Sequence, residues 1–369
     1  MFLPRDTEFY RALLPQMMRG FAAAGVEVDG GLGHLGAAAM RDHVASFRPD
    51  LVVEMNRPRC DAEFLPADVK HACWIVDFNG RQLSHFEGSD ATYMFAESWV
   101  PHYPHRSFSA WLGAGACEHD YPVTPHVPNA SLGFAGHVPN PWSEAELARD
   151  LTAPHGAMTF AELLPSLEHI LRTPGPPRSP DDLIGAVGEI VRAHCGHELV
   201  LDDVLRYDIL GRTVRHVNRV DLIDAALQHT DKLAIHGTPN WSRWPRYAPY
   251  YRGWLGEPGA LRRAYADVVA NLHEGTGVHF RSMDAMCSGQ LVLWRKTRHD
   301  HSIGGIAQQF EPGTHYLEFS LDTLGEQLDA IAHDPARAAT IRANAAAAIR
   351  SGHTWTHRAQ TILRDIEAL

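Results

Sequence analysis

Apolar positions along the chain change their period repeatedly, and each change marks an element. Over 8–24, EFYRALLPQMMRGFAAA, the spacing is that of a helix with one buried face, closed by Gly25. A second helix is predicted over 36–47. It ends before RPDLVVEM, where Pro49 and Asp50 lead into an apolar run. KHACWIVDF (70–78), ATYMFAE (91–97) and the short SAWLGAG (109–115) follow, again without polar alternation. Strands of that kind, separated by helices or loops, predict a parallel sheet covered on both faces. The stretch YPVTPHVPN (121–129) reads as a linker.

Beyond it, SLGFAGHVPNPWSEAEL restarts the pattern of strand, glycine turn and helix. Residues 144–230 read as mostly helical, broken by the proline-dense loop TPGPPRSPDD (173–182). KLAIHG (232–237) is a strand ending in glycine, and the aromatic segment 240–256 has no useful period and reads as a loop. A helix predicted over 258–270 leads into NLHEGTGVHFRSMDAMCSGQLVL (271–293). LVLW, HYLEF and a helix over 320–332 complete a second strand–helix–strand set, and two Ala- and Leu-rich helices (336–350 and 354–368) end the chain. No internal repeat is present. The economical architecture is α/β, with two doubly wound domains joined by the proline linker.

Residues 271–293 carry the most chemistry. An apolar segment, a glycine-bearing turn, an amphipathic helix with Arg281 and Asp284, a glycine stop and a second buried strand follow in order. Gly275 and Gly277 allow backbone N–H groups to approach a ligand closely. A helix start just beyond such a turn suits a phosphate through its free N–H groups and its dipole. Arg281 offers a planar fork for phosphate oxygens, and Asp284, one turn on, offers a carboxylate for hydroxyls. An ordinary helix with a solvated Arg–Asp pair explains the same residues, and the spacing alone leaves both readings open.

A chain of 369 residues exceeds what one compact core usually holds, which agrees with two domains. The net charge of −11 argues against sequence-independent nucleic-acid binding. No run of about 18 uncharged apolar residues predicts a membrane span. The beginning, MFLPRDTEFYRALL, lacks the order of a secretory signal, and the five scattered cysteines fit a reducing, cytoplasmic setting. The 24 histidines are strewn singly through loops; HDH at 299–301 is a weak metal pattern, and no metal site is expected.

Read together, the order FAGH, IHG, RGWLG, GxGVHFRSMDAMCSGQLVL, FEPGTHYLEF and a final HTWTHR helix resembles GT-B glycosyltransferases. It is most similar to their CgeB-like branch, associated with spore-coat maturation and related glycosylation. PDLVV and WIVDF in the first half match that family's P-D-L and W-x-x-D segments. The likeness covers most of the chain outside about 150–215. Asp284 stands where the family has Glu, Met283 where Phe is usual and His315 where Glu follows F-x-P-G; Glu311 still supplies a carboxylate nearby.

The resemblance implies two Rossmann-like domains facing a cleft. The acceptor-side domain would be 1–125, with the C-terminal helix 352–369 crossing back onto it through Trp355 and positions 362, 363 and 366. The donor domain would be 129–351, with a helical insert at about 150–215. No cofactor is implied, since a nucleotide-diphosphate sugar is the co-substrate.

Carried over, Gly136 and His137 would line the diphosphate and Arg281 would pair with it. His236 and Gly237 would close a strand facing the same cleft, alongside the Gly275-Thr276-Gly277 turn, His279 and Glu311, and Asp284 would hold ribose hydroxyls. Asp77, at the end of a buried strand, would be the general base if apolar walls raise its pKa. Arg5 and Asp6 are weaker candidates of the same kind. Trp241, Trp244, Tyr247, Tyr250 and Tyr251 would form a stacking wall.

Several have a structural alternative: a tight turn for Gly136, a surface ion pair for Arg281, a solvated helix face for Asp284, a core histidine for His279, a capping carboxylate for Asp77 and loop packing for the aromatics. The function expected is sugar transfer from a nucleotide-diphosphate sugar to an acceptor nucleophile (a glycan, protein or small molecule), without metal. The rivals are a non-catalytic nucleotide- or glycan-binding protein and a sugar-nucleotide epimerase or hydrolase of the same architecture.

Overall fold

The structure is a computed structural model describing residues 1–78, 81–173, 180–275, 277–302 and 304–369. The chain divides into two compact units, Met1–Phe134 with Leu255–Leu369, and Ala135–Trp254.

In the first unit, β1 (Phe2–Leu3), β2 (Gly31–Leu32), β3 (Leu51–Met55), β4 (Lys70–Ile75), β5 (Ala91–Met94) and β6 (Phe108–Trp111) form one sheet. Its order is β2-β1-β3-β4-β5-β6, and every pair is parallel. Helices α1 (Glu8–Ala23) and α2 (Ala37–Phe47) connect the first strands. The cores of β3, β4 and β5 are buried almost throughout, which is why their sequences lack polar alternation. Glu54 of β3 is a fully buried carboxylate among these apolar residues. His71 Nε2 lies 3.1 Å from one carboxylate oxygen and Arg57 Nη1 3.3 Å from the other. A buried carboxylate requires such partners.

After the linker come β7 (Ala130–Ala135) and the second unit. That unit holds α3 (Glu144–Leu147), α4 (Phe160–Arg172), α5 (Pro180–Cys195), α6 (Asp203–Tyr207), α7 (Val214–Leu227) and β8 (Leu233–His236). Leu163 and Leu167 of α4, Val187 and Val191 of α5, and Leu205 and Ile209 make its hydrophobic core. Thr159 and Glu162 cap the start of α4 reciprocally. Much of the loop expected at 173–182 lies outside the described residues.

The chain then returns to the first unit with α8 (Pro258–Ala266), β9 (Val268–His273), α9 (Phe280–Cys287), β10 (Val292–Arg295), α10 (Ile306–Gln309), β11 (Leu317–Phe319), α11 (Leu324–His333), α12 (Pro335–Gly352) and α13 (Trp355–Glu367). Here β11, β10, β9 and β7 lie side by side, all parallel. The helix expected over 258–270 ends at Ala266, because Val268 and Ala270 are held in the ladder beside Ala130 and Leu132. Strand pairing on both edges of β9 overrides its helical spacing.

The last helix crosses back to the first sheet, as the resemblance implied. Gly20 of α1 packs so tightly on Trp355 of α13 that a Cβ would overlap its backbone. Tyr93 of β5 donates to Asp365 at 3.2 Å, and Arg358 donates to the carbonyls of Gly113 and Ala114. No helix among the described residues is long and apolar enough to cross a membrane.

Candidate functional site

The first unit gathers one group of expected residues around α9. β9 ends at His273, whose ring stacks on Trp294 at 4.1 Å and accepts from the Gly275 N–H at 3.1 Å. Thr297 Oγ1 donates to the Gly275 carbonyl, and a Cβ on Gly275 would overlap the carbonyl of Arg295. Gly275 and Gly277 both lie at positive φ, +77° and +99°, where a side chain would be strained. Thr276 lies outside the described residues. His279 is exposed and caps α9, while Ser282 returns a bond to the His279 N–H at 3.2 Å.

Phe280, the first residue of α9, sits among aromatic rings from the first sheet, α1 and α13. Phe95 stacks on it at 5.4 Å, Phe9 meets it edge-on at 5.4 Å, and Trp74 and Trp355 close the group at 6.2 Å. The start of α9 thereby meets the end of β5, with His279 edge-on to Phe95 at 5.9 Å.

Arg281 turns inward. Its side chain is 12% exposed, Nη2 donates to the Glu274 carboxylate, which is 2% exposed, and the guanidinium lies 5.4 Å from the Phe134 ring centre. The solvated Arg–Asp pair is therefore not what forms. Asp284 goes elsewhere: it is buried, and the hydroxyl it accepts from belongs to Tyr121 in the proline linker. Burial pushes the Asp284 carboxyl well above the usual carboxylate range, against the pull of the Tyr121 hydroxyl. This placement does not support the ribose contact expected of Asp284, since its carboxylate is already covered.

Glu311 is exposed, and its N–H donates to His315 Nδ1 at 2.9 Å, so the histidine that departs from the family pattern closes the FEPG turn. Phe310 packs on His353 at 4.7 Å, which joins the FEPG and HTWTHR segments. In the HDH segment, Asp300 is buried and accepts from Trp294 Nε1 at 3.0 Å and from Thr297, a bracing role. Among the described residues no group of three or more His, Cys, Asp or Glu is placed to hold a metal ion. All five cysteines are free.

At the end of β4, Asp77 is exposed rather than walled by apolar groups, because the chain leaves the buried sheet at Val76. Its backbone is fixed: Asn56, at φ +59°, accepts from the N–H groups of Val76 and Asp77 at 2.7 and 3.0 Å. The Tyr10 phenol is raised mainly by burial and feels the opposed charges of Arg5 and Asp77, so these three share the C-terminal edge of the first sheet. Asp6 instead pairs on the surface with Arg11.

The second unit brings Gly136, His137, His236 and Gly237 together. Gly136 N–H donates to the His236 carbonyl at 2.8 Å, and a Cβ on Gly237 would overlap the Gly136 carbonyl. His137 Nδ1 lies 2.8 Å from Thr238 Oγ1. Burial, with the charges of Arg219 and Arg215 behind it, brings the His137 imidazole down to about 4 from 6.5. At neutral pH it is an uncharged ring beside two guanidinium groups one turn apart on α7.

The polar edges of the aromatic segment are taken up within the second unit. Trp241 Nε1 donates to the Gly136 carbonyl, Trp244 Nε1 to the Pro139 carbonyl, Tyr247 to Asp224 and Tyr251 to the Gly237 carbonyl. Trp244 also stacks on His216 at 4.6 Å.

Residues 214–364 match a family described as glycosyl transferase-like. Over its whole length the chain is similar to HepE of Anabaena in complex with UDP-glucose, at 12% identity, covering 100% of this chain and 99% of that one, with a TM-score of 0.56. The complex of HepE with UDP and glucose gives 11%, 100%, 99% and 0.54. Sucrose-phosphate synthase from Thermosynechococcus elongatus gives 10%, 100%, 98% and 0.50. No curated protein matches the chain. The two sheets of parallel strands and the returning C-terminal helix are those of the GT-B fold.

The chain has the GT-B fold. The family match takes in α7, His236, α9 and Glu311, and leaves Asp77, Gly136 and His137 outside it. Sequence reasoning missed Glu274, although an acid directly ahead of the glycine turn was visible. It also missed Tyr121, Arg215 and Arg219, whose partners lie far away in the chain and left no spacing signal.

Proposed function

We propose that this protein is a glycosyltransferase, which takes a nucleotide-diphosphate sugar and passes the sugar to a nucleophile on an acceptor. The observation that carries the reading is Arg281, a nearly buried cation held by Glu274 at the start of a helix that follows a glycine turn. Positive charge fixed there suits a leaving nucleoside diphosphate, whose charge grows as the sugar departs. The helix dipole adds to it, and the two together would serve in place of a metal ion.

In the first unit, Gly275, Thr276, Gly277, His279, Arg281 and Glu311 are the proposed donor contacts; in the second unit, Gly136, His137, His236 and Gly237 are proposed as donor contacts too. The proposed division of labour gives residues 129–351 the donor and 1–125, with 352–369, the acceptor. Asp77 would then take the proton of the attacking group at the edge of the first sheet. HepE has been solved with UDP-glucose, which makes UDP the first nucleotide to test here. The CgeB-like branch and a cytoplasmic setting are the finer parts of the proposal, supported by the motif order and by cysteines that are all free.

A panel of UDP-, GDP- and dTDP-sugars, read by thermal shift and by release of nucleoside diphosphate with and without acceptor extract, tests the reading. A nucleotide that binds the native state raises its melting temperature. Acceptor-dependent release is expected. Release at the same rate without acceptor would point to a hydrolase or epimerase, and no shift with any nucleotide would end the proposal.

A further inference from the structure

The loop after β7 is held in an unusual way. Of the six carbonyls from Gly136 to Pro141, five accept from side chains. Trp241 Nε1 takes Gly136 at 2.7 Å, Asn240 Nδ2 takes Val138 at 2.9 Å and Trp244 Nε1 takes Pro139 at 2.9 Å. Arg212 Nη2 takes Asn140 and Pro141 at 3.2 and 3.4 Å. Arg212 comes from a π-helical turn, Asp208–Thr213, and lies over the Trp142 ring at 3.7 Å. Single π turns inside helices are rare and frequently occur at functional sites.

A trans peptide is planar, with its carbonyl and the next N–H pointing opposite ways. Turning the Gly136 and Pro139 carbonyls onto Trp241 and Trp244 therefore sends the N–H groups of His137 and Asn140 the other way. Pro139 and Pro141 have no N–H to contribute. The N–H groups of His137 and Asn140 thus each lie opposite a carbonyl held by an indole. Arg215 and Arg219 act on His137 from α7.

We propose that Asn240, Trp241 and Trp244 are positioning residues for the donor: they clamp the loop carbonyls so that the His137 and Asn140 N–H groups face the diphosphate. This rests on the nucleotide-sugar reading above. It gives the segment 240–244 a task that explains why two indoles and an amide, rather than apolar groups alone, occupy it. None of the three touches the donor. Loss of any one lets a carbonyl swing toward the phosphate oxygens, where it repels them and misplaces a donor.

The test compares Asn240→Ala, Trp244→Phe and Trp241→Phe with Tyr247→Phe. The last removes the Tyr247–Asp224 bond at 2.9 Å in the same segment without touching the loop. The donor KM, and the UDP Kd read by calorimetry, are expected to rise about tenfold in each clamp variant, as for one hydrogen bond. The kcat and the acceptor KM should stay within about twofold, and Tyr247→Phe should leave all of these unchanged while lowering thermal stability. Asn240 and Trp244 are only half-buried, so their variants report even if Trp241→Phe fails to fold. Wild-type UDP affinity retained in both variants would overturn the clamp and leave the donor reading standing. Absence of nucleotide binding in the wild type would overturn the donor reading itself. Equal rises in donor and acceptor KM, or in Tyr247→Phe as well, would make the segment merely structural.

Discussion

Arg281 reaches back across the glycine turn to Glu274, seven residues earlier, and forms an ion pair with it in which both side chains are nearly closed to solvent. The carboxylate fixes the direction of the guanidinium, and the ring of Phe134 supports it from a third element. A charge so held needs no reorganisation when an anion arrives, which is what makes a preorganised group effective.

Breaking this pair from either side takes from a buried charge the partner that holds it. Glu274→Ala and Arg281→Ala are each expected to lower unfolding free energy by about 3–5 kcal/mol, and the double variant by clearly less than their sum. Urea denaturation of all four proteins measures the coupling. On folded protein, Arg281→Ala should also lower kcat/KM for transfer on the order of 100-fold; near-normal turnover would remove Arg281 from the chemistry.

Asp77 is exposed at the end of β4 with its backbone fixed by Asn56. As the proton acceptor, Asp77→Asn should lower kcat roughly 100-fold or more and leave the UDP Kd unchanged. Single-turnover transfer together with calorimetry separates the two quantities. Unaltered kcat would make it a surface carboxylate.

Asp284 accepts from Tyr121 in a buried setting, so its shape and acceptor matter more than its charge. Asp284→Asn should keep the donor KM within about twofold, while Asp284→Ala and Tyr121→Phe should each cost about 1–3 kcal/mol of stability by leaving a buried partner unsatisfied. A selective rise in donor KM for Asp284→Asn would restore the ribose role.

His353 is brought down to about 4, first by burial and then by the nearby charges of Arg358, His357 and His315. Between that value and the 6.5 of the unfolded chain, the unfolded state binds more protons, so the stability His353 contributes is present above pH 6.5 and lost toward pH 4. Asp284 works in the opposite sense: its raised carboxyl contributes most in acid and loses that contribution as the pH rises past the usual carboxylate range. His353→Gln should therefore flatten the acid limb of a stability–pH curve relative to the wild type. An unchanged slope by urea denaturation between pH 6.5 and 4 would contradict the assignment.

Much of the fold was legible because it is written in local terms. Unalternating apolar runs predicted strands covered on both faces, the glycines at 275 and 277 marked a turn, and the final HTWTHR helix was expected to return to the first sheet. Where local signals competed, as at Val268–Ala270, helical spacing lost to pairing with β7 and β10. The candidate site was legible in part: Arg281 was singled out and Glu274 was not. The aromatic segment was recognised as unusual, with loop packing weighed beside a stacking wall, but its partners were not legible, since a tryptophan's ring is visible in sequence while the carbonyl its N–H meets is not.

The sequence by itself determined the alternation of strands and helices, the glycine turn ahead of α9 and the amphipathic faces that require a covered sheet, because period and backbone freedom act within a few residues. Only the tertiary structure decided that Asp284 belongs to Tyr121, that Glu274 holds Arg281 and that Trp241 and Trp244 hold the loop after β7. Those pairings join groups from different elements, and burial selects among many candidates of equal chemistry. A polar group removed from water must find whichever partner the packing brings to it.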